Sequence, residues 1–200
     1  LPPLQTSGKP SAWNAADSLS FYAYIKVQNH RENMNRKKNL VSRGVLSALL
    51  LFILSFSAAA QPVYKIMTYN ILNYPGTTAS VRNPYYKTIV GAVMPDILVI
   101  QEITSQAGVD TFLNAVLKQL DTNYRAGLFI DGPDTDNAIF FKSTLFSFVS
   151  NTPITTALRD ITEFVVTSNH TLDTLVFYSV HLKASSGSAN ELARAAEVDS

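Results

Sequence analysis

The 200 residues contain no cysteine. Disulfides, thiolate metal sites and cysteine nucleophiles are therefore excluded. Small secreted domains lean on disulfides. A larger bacterial exported domain folds without them, and the absence fits that class. Internal repeats and low-complexity tracts are lacking as well. So is a strongly basic globular part. The chain carries +1 overall, but residues 1–60 hold 7 Lys and Arg against 2 Asp and Glu, and the remainder holds 9 against 13. From residue 61 onward the chain is mildly acidic, which argues against a protein that coats nucleic acid without sequence preference. A nuclease stays open, because a bound divalent cation changes the local charge.

No apolar run reaches the ~20 residues that span a bilayer. The nearest is the uncharged stretch 45–56, which follows the basic residues Arg36, Lys37, Lys38 and Arg43. Ala58 and Ala60 then form an A-x-A site before Gln61. This order is the secretory signal pattern. The reading is a signal peptide at 34–60 and a secreted or periplasmic bacterial protein; the alternative is an anchor through residues 45–60. Met34 is the expected first residue. Residues 1–33 form an unassigned upstream segment without a periodic pattern.

Beyond the signal, helical and extended patterns alternate. Strands are predicted at 64–69, 97–101, 124–130, 138–141, 145–149, 161–167 and 174–180, from β-branched, aromatic or continuously apolar runs. Residues 109–120 repeat their apolar positions at helical spacing. Short helices are predicted at 85–94, after Pro84, and at 191–198. Residues 131–136, DGPDTD, form a loop, and 168–170 a hairpin turn. The β-α-β-α order followed by several strands points to an α/β layer structure containing hairpins. The chain stops in or just after a helix, so the domain at 61–200 is expected to be partial.

Four polar residues sit at the ends of apolar strands: Asn70 after YKIMTY, Glu102 after ILVIQ, Asn137 before AIFFK and His181 after LVFYSV. Rigid strands with open tips are where α/β sheets collect functional groups. A carboxylate and an amide oxygen are the hard ligands magnesium accepts. Taken singly, each has a plainer role: a turn cap for Asn70, a solvated strand end for Glu102, a strand start for Asn137, a structural core histidine for His181. The acids Asp131, Asp134 and Asp136 lack the glycine and distal glutamate of an EF-hand.

In order, MTYNILNY, PDILVIQEI, DNAIFFK and FYSVHLKAS resemble the motifs of the endonuclease/exonuclease/phosphatase superfamily, over about residues 64–199. The resemblance implies two packed mixed β-sheets flanked by helices, a four-layer sandwich truncated here after its first part. It implies a divalent-metal-dependent phosphoester hydrolase, nuclease-like, using Mg2+ or else Mn2+ or Ca2+. Asn70 would lie by the metal and scissile phosphate, Glu102 would bind the metal, and His181 would bind the phosphate. Arg159 and Asn137 would contact phosphate or substrate. The expected partner is nucleic acid or another phosphodiester, and the expected state a monomer without stable membrane association once the signal is cleaved.

Two departures qualify this. The deoxyribonuclease branch often carries arginine two residues after the metal glutamate, where this chain has Thr104. The family's later motifs, which place the attacking water and supply a general base, are not in these residues. Two other functions remain in view: a lipid head-group phosphodiesterase of the same fold, and a secreted binding domain without catalysis, since fold alone does not carry activity.

Overall fold

The computed structural model describes residues 62–199, and the backbone of 22–28. The signal segment 34–60 lies outside them. In chain order the elements are β1 Tyr22–Gln28, β2 Ile66–Tyr74, α1 Ala79–Val93, β3 Ile97–Ile103 and α2 Gln106–Ala115. A 3-10 turn, Leu117–Gln119, follows. Then come β4 Tyr124–Ala126, β5 Asp136–Lys142, β6 Phe146–Ile154, β7 Ile161–Ser168, β8 Thr174–Val180 and α3 Ser188–Val198. Among the described residues no helix is long and apolar enough to cross a membrane.

Two four-stranded sheets form, in the orders β2-β3-β5-β4 and β1-β8-β7-β6. The first is mixed: β2 runs parallel to β3, and β5 antiparallel to both β3 and β4. The second is antiparallel at every pairing. The expected α/β architecture of two packed sheets with flanking helices is thus present.

The continuous apolar run of β3 is explained by burial on both faces. Leu98 and Ile100 pack with Val90, Val109 and Phe112 in a core between the first sheet and α1 and α2. Ile97 and Val99 face the other way, where Ile139, Phe141, Phe146, Phe164, Val166, Leu175 and Phe177 fill the space between the sheets. Fully burying one such side chain stabilises by ~1.5–3 kcal/mol. On β7 and β8 the pattern alternates: Phe164, Val166 and Phe177 are buried, while Val165, Val176 and Tyr178 are half-buried on the outer face.

Several elements differ from the sequence expectation. The first helix starts at Ala79, before Pro84, which sits inside it. Proline forfeits one helical hydrogen bond there, but Arg82, in the first turn itself, ties that turn to the end of β2 and the chain after it. It donates to the carbonyls of Ile71, Leu72 and Pro75 and to the Tyr86 hydroxyl. β4 ends at Ala126 rather than residue 130. A Cβ on Gly127 would lie 2.6 Å from both Ile139 and Phe148, so the chain presses against its neighbours and turns away. β6 runs to Ile154 through Pro153, which is tolerated because β6 is an edge strand. The segment read as unassigned contributes β1, whose backbone pairs along the whole of β8, from Tyr22 with Val180 to Gln28 with Thr174.

Candidate active site

β2 and β3 are both irregular at one level. The register of β2 shifts between Asn70 and Tyr74, and that of β3 between Gln101 and Ile103. Leu72, Asn73 and Glu102 take φ values of 49°, 48° and 60°. Such left-handed conformations cost a residue bearing a Cβ ~1 kcal/mol or more, and they cluster at functional sites. Bulges re-aim side chains, and here they bring Asn70 and Glu102 together. Asn70 Nδ2 donates to Glu102 Oε1 at 2.7 Å. The backbone N–H of Asn73 donates to Glu102 Oε2 at 3.2 Å. Asn70 Oδ1 in turn accepts from the Leu72 N–H at 2.8 Å.

The second sheet supplies the histidine. His181, just past β8, is buried, and its Nε2 lies 3.5 Å from Glu102 Oε1. Burial lowers its pKa first and the Arg159 charge second, while Glu102, Asp134 and Glu197 pull the other way. The ring is neutral at pH 7, so the Glu102 contact is polar rather than an ion pair. Arg159 stands alongside: its Nη1 lies 3.5 Å from the His181 carbonyl, and its Nε pairs with Asp134 Oδ2 at 2.8 Å. Asn70, Glu102 and His181 are therefore adjacent, with Arg159 next to them.

Asn137 is placed differently. It is buried between the sheets, where its Nδ2 donates to Thr162 Oγ1 and the Asp160 carbonyl, and its Oδ1 accepts from the Ser179 hydroxyl. The Gln101 amide donates to Ser179 Oγ and to Thr68 Oγ1. These residues form a polar layer beneath the cluster, and the Asn137 carboxamide is committed within it. Thr104, in the position where arginine is expected in one branch, donates its hydroxyl to the Tyr74 carbonyl.

Sequence reasoning missed Asn73, which holds Glu102 through its backbone; Asp134, the partner of Arg159; and Ser179 and Gln101, which tie the sheets together. Asp134 and Ser179 left a trace: one lies in the acid-rich loop, the other two residues before His181 on an apolar strand. Asn73 left none, because backbone donors carry no sequence signal.

The donors at the cluster are a carboxylate and an amide. Among the described residues no group of three or more His, Cys, Asp and Glu is arranged to hold a metal ion. Such a donor set suits a hard divalent cation that keeps several waters and takes few protein ligands.

No family model matches the chain, and no curated protein does. Solved structures do. Truncated Caenorhabditis elegans TDP2 aligns with 53% of this chain and 41% of its own, at 21% identity and a TM-score of 0.41. D. rerio TDP2 complexed with a single-strand DNA product aligns with 64% and 49%, at 18% and 0.48. An endonuclease/exonuclease/phosphatase family protein from Bacteroides thetaiotaomicron aligns with 57% and 47%, at 15% and 0.45. The likeness is one of fold, and the chain spans less than half the length of each of these three.

Proposed function

We propose that the protein to which these residues belong is a divalent-metal-dependent phosphoester hydrolase, a nuclease-like phosphodiesterase acting as a monomer on nucleic acid outside the cytoplasm. The observation that carries this reading is the Asn70–Glu102–His181 cluster, built by coincident bulges in two neighbouring strands and closed by a residue from the other sheet. Backbone strain at Glu102 supports catalysis over a binding domain that merely keeps the fold, since strain persists where something over-determines it.

In this reading Glu102 holds the cation, magnesium or else manganese or calcium. The bound ion supplies polarisation of a phosphoryl oxygen and counter-charge in the transition state. Asn70 and the Asn73 N–H fix the carboxylate, so that little reorganisation is needed on binding. Neutral His181 donates a hydrogen bond to a non-bridging phosphate oxygen. Arg159, kept in place by Asp134, adds positive charge beside it. Water activation falls to residues other than those described. Export would remove residues through Ala60, and β1 with them.

The test uses the full-length protein and two probes, bis(p-nitrophenyl) phosphate and single-stranded DNA. Glu102→Gln should abolish most metal binding in a calorimetric titration and lower turnover by at least ~100-fold, the scale of one preorganised electrostatic donor. His181→Ala should lower turnover and leave metal affinity nearly intact. Normal metal dependence and normal turnover in Glu102→Gln would sink the assignment.

A further inference from the structure

Two residues of α3 do work that the cluster itself does not explain. Glu197 is only 1% exposed, near the C-terminal end of the helix. Both circumstances oppose a carboxylate. Burial costs it its hydration, and the helix C-terminus carries the negative end of the dipole. An apolar residue would fill the position without either cost. Glu197 Oε2 accepts the backbone N–H of Lys183 at 2.8 Å. Lys183 lies two residues past His181. Arg194, one turn earlier on the same helix face, donates through Nη1 to the carbonyls of Lys183 at 3.0 Å and Ser185 at 2.9 Å. Ser185 has a φ of 80°, which a serine does not hold without support. The chain leaving the candidate site is thus gripped at one amide and two carbonyls by a single helix.

We infer that Glu197 and Arg194 are positioning residues: they clip the segment after His181 to α3 and so fix where the imidazole stands relative to Glu102. The inference rests on the phosphoester-hydrolase reading for its consequence in turnover, but not for the clip itself. A misplacement of ~1 Å can cost ~100-fold in rate, and a loop held at only one end permits that much.

The full-length protein carrying Glu197→Ala, Glu197→Gln or Arg194→Ala tests this with two readouts. The first is steady-state hydrolysis of bis(p-nitrophenyl) phosphate with magnesium. The second is hydrogen exchange of the Lys183 amide. Glu197→Ala should lower kcat by at least ~10-fold, a fraction of the misplacement cost, leave magnesium affinity unchanged and speed exchange at Lys183. Glu197→Gln keeps an acceptor oxygen and should restore both readouts to near wild type, which rules out a simple folding defect. Arg194→Ala should resemble Glu197→Ala. Unchanged kcat in Glu197→Ala, or a glutamine variant as impaired as alanine, overturns the positioning role. A wild type that hydrolyses no phosphoester probe would defeat the hydrolase reading instead. The Lys183 exchange pattern would still decide the clip, with slow exchange in Glu197→Ala overturning it.

Discussion

Asp136, which pairs with Ile103 beside the site, has its protonation altered by the fold. Burial pushes its carboxyl up to about 6, with the Asp131 and Asp160 charges adding and a hydrogen bond from the Gly132 N–H opposing. The folded chain therefore holds this proton more tightly than the unfolded chain does. The associated stability is present below about pH 4 and is lost as the pH rises through about 6. Asp136→Asn keeps an acceptor for Gly132 and removes the charge. It should raise the urea midpoint at pH 8 and change it little at pH 4. Equal gains at both values would show that charge is not the cause. The cluster residues were legible in the sequence for a related reason. Each apolar run is broken by a polar residue, Asn70 and Glu102 at the bulged level of β2 and β3 and His181 just past β8. Asn137 marks a strand end too, but the structure seats it in the polar layer between the sheets. Its spacing with Ile139 and Phe141, two residues apart along β5, already placed it on the face between the sheets. Glu197 was illegible, because nothing in an alanine-bearing helix announces a buried carboxylate.

At the scale of elements, the lengths of β7 and β8 were readable to within a residue, because a half-buried antiparallel strand writes its burial into alternation. The start of α1 was not readable, because it depends on Arg82 reaching the carbonyls of Ile71 and Leu72 in β2 and of Pro75 after it. A similar tertiary dependence reverses an ordinary rule in α2. Replacing a helical glycine by alanine gains ~1 kcal/mol when there is room. Gly108 is helical, and its N–H is received by the Ser105 side chain that caps the helix. A Cβ there would meet Pro75 Cδ at 2.8 Å and the Tyr74 carbonyl at 3.2 Å. Gly108→Ala should therefore destabilise, by ~1–3 kcal/mol as overpacking does, and thermal melting reads the sign directly. A raised melting temperature would mean that α2 and the end of β2 are not pressed together in this way. Because β2 carries Asn70, the same variant should also lower turnover in the complete protein.

For the whole molecule, the question of export meets the question of fold at β1. Removal of residues through Ala60 takes β1 away and leaves β8 as an edge strand, with its backbone groups open to another strand. N-terminal sequencing of exported protein should begin at or near Gln61. Recovery of a mature chain that retains residues 45–56 would favour the anchor, and with it a β1 that stays in place. Neither outcome disturbs the polar layer beneath the site, where Gln101, bonded to Thr68 in its own sheet, donates to Ser179 of the other, and Asn137 meets Thr162 and Ser179. Most of the remaining contact between the two sheets is through apolar side chains, and such contact is non-directional: it resists separation but barely resists a small slide. Hydrogen bonds with fixed geometry resist the slide. The layer is a dowel driven through a greased joint, set at the one end where alignment matters, since Asn70 and Glu102 stand on one board and His181 on the other. Thinning the grease leaves the joint weaker but true. Pulling the dowel leaves it firm and out of line, and a site that must hold one phosphate from both boards tolerates the first damage better than the second.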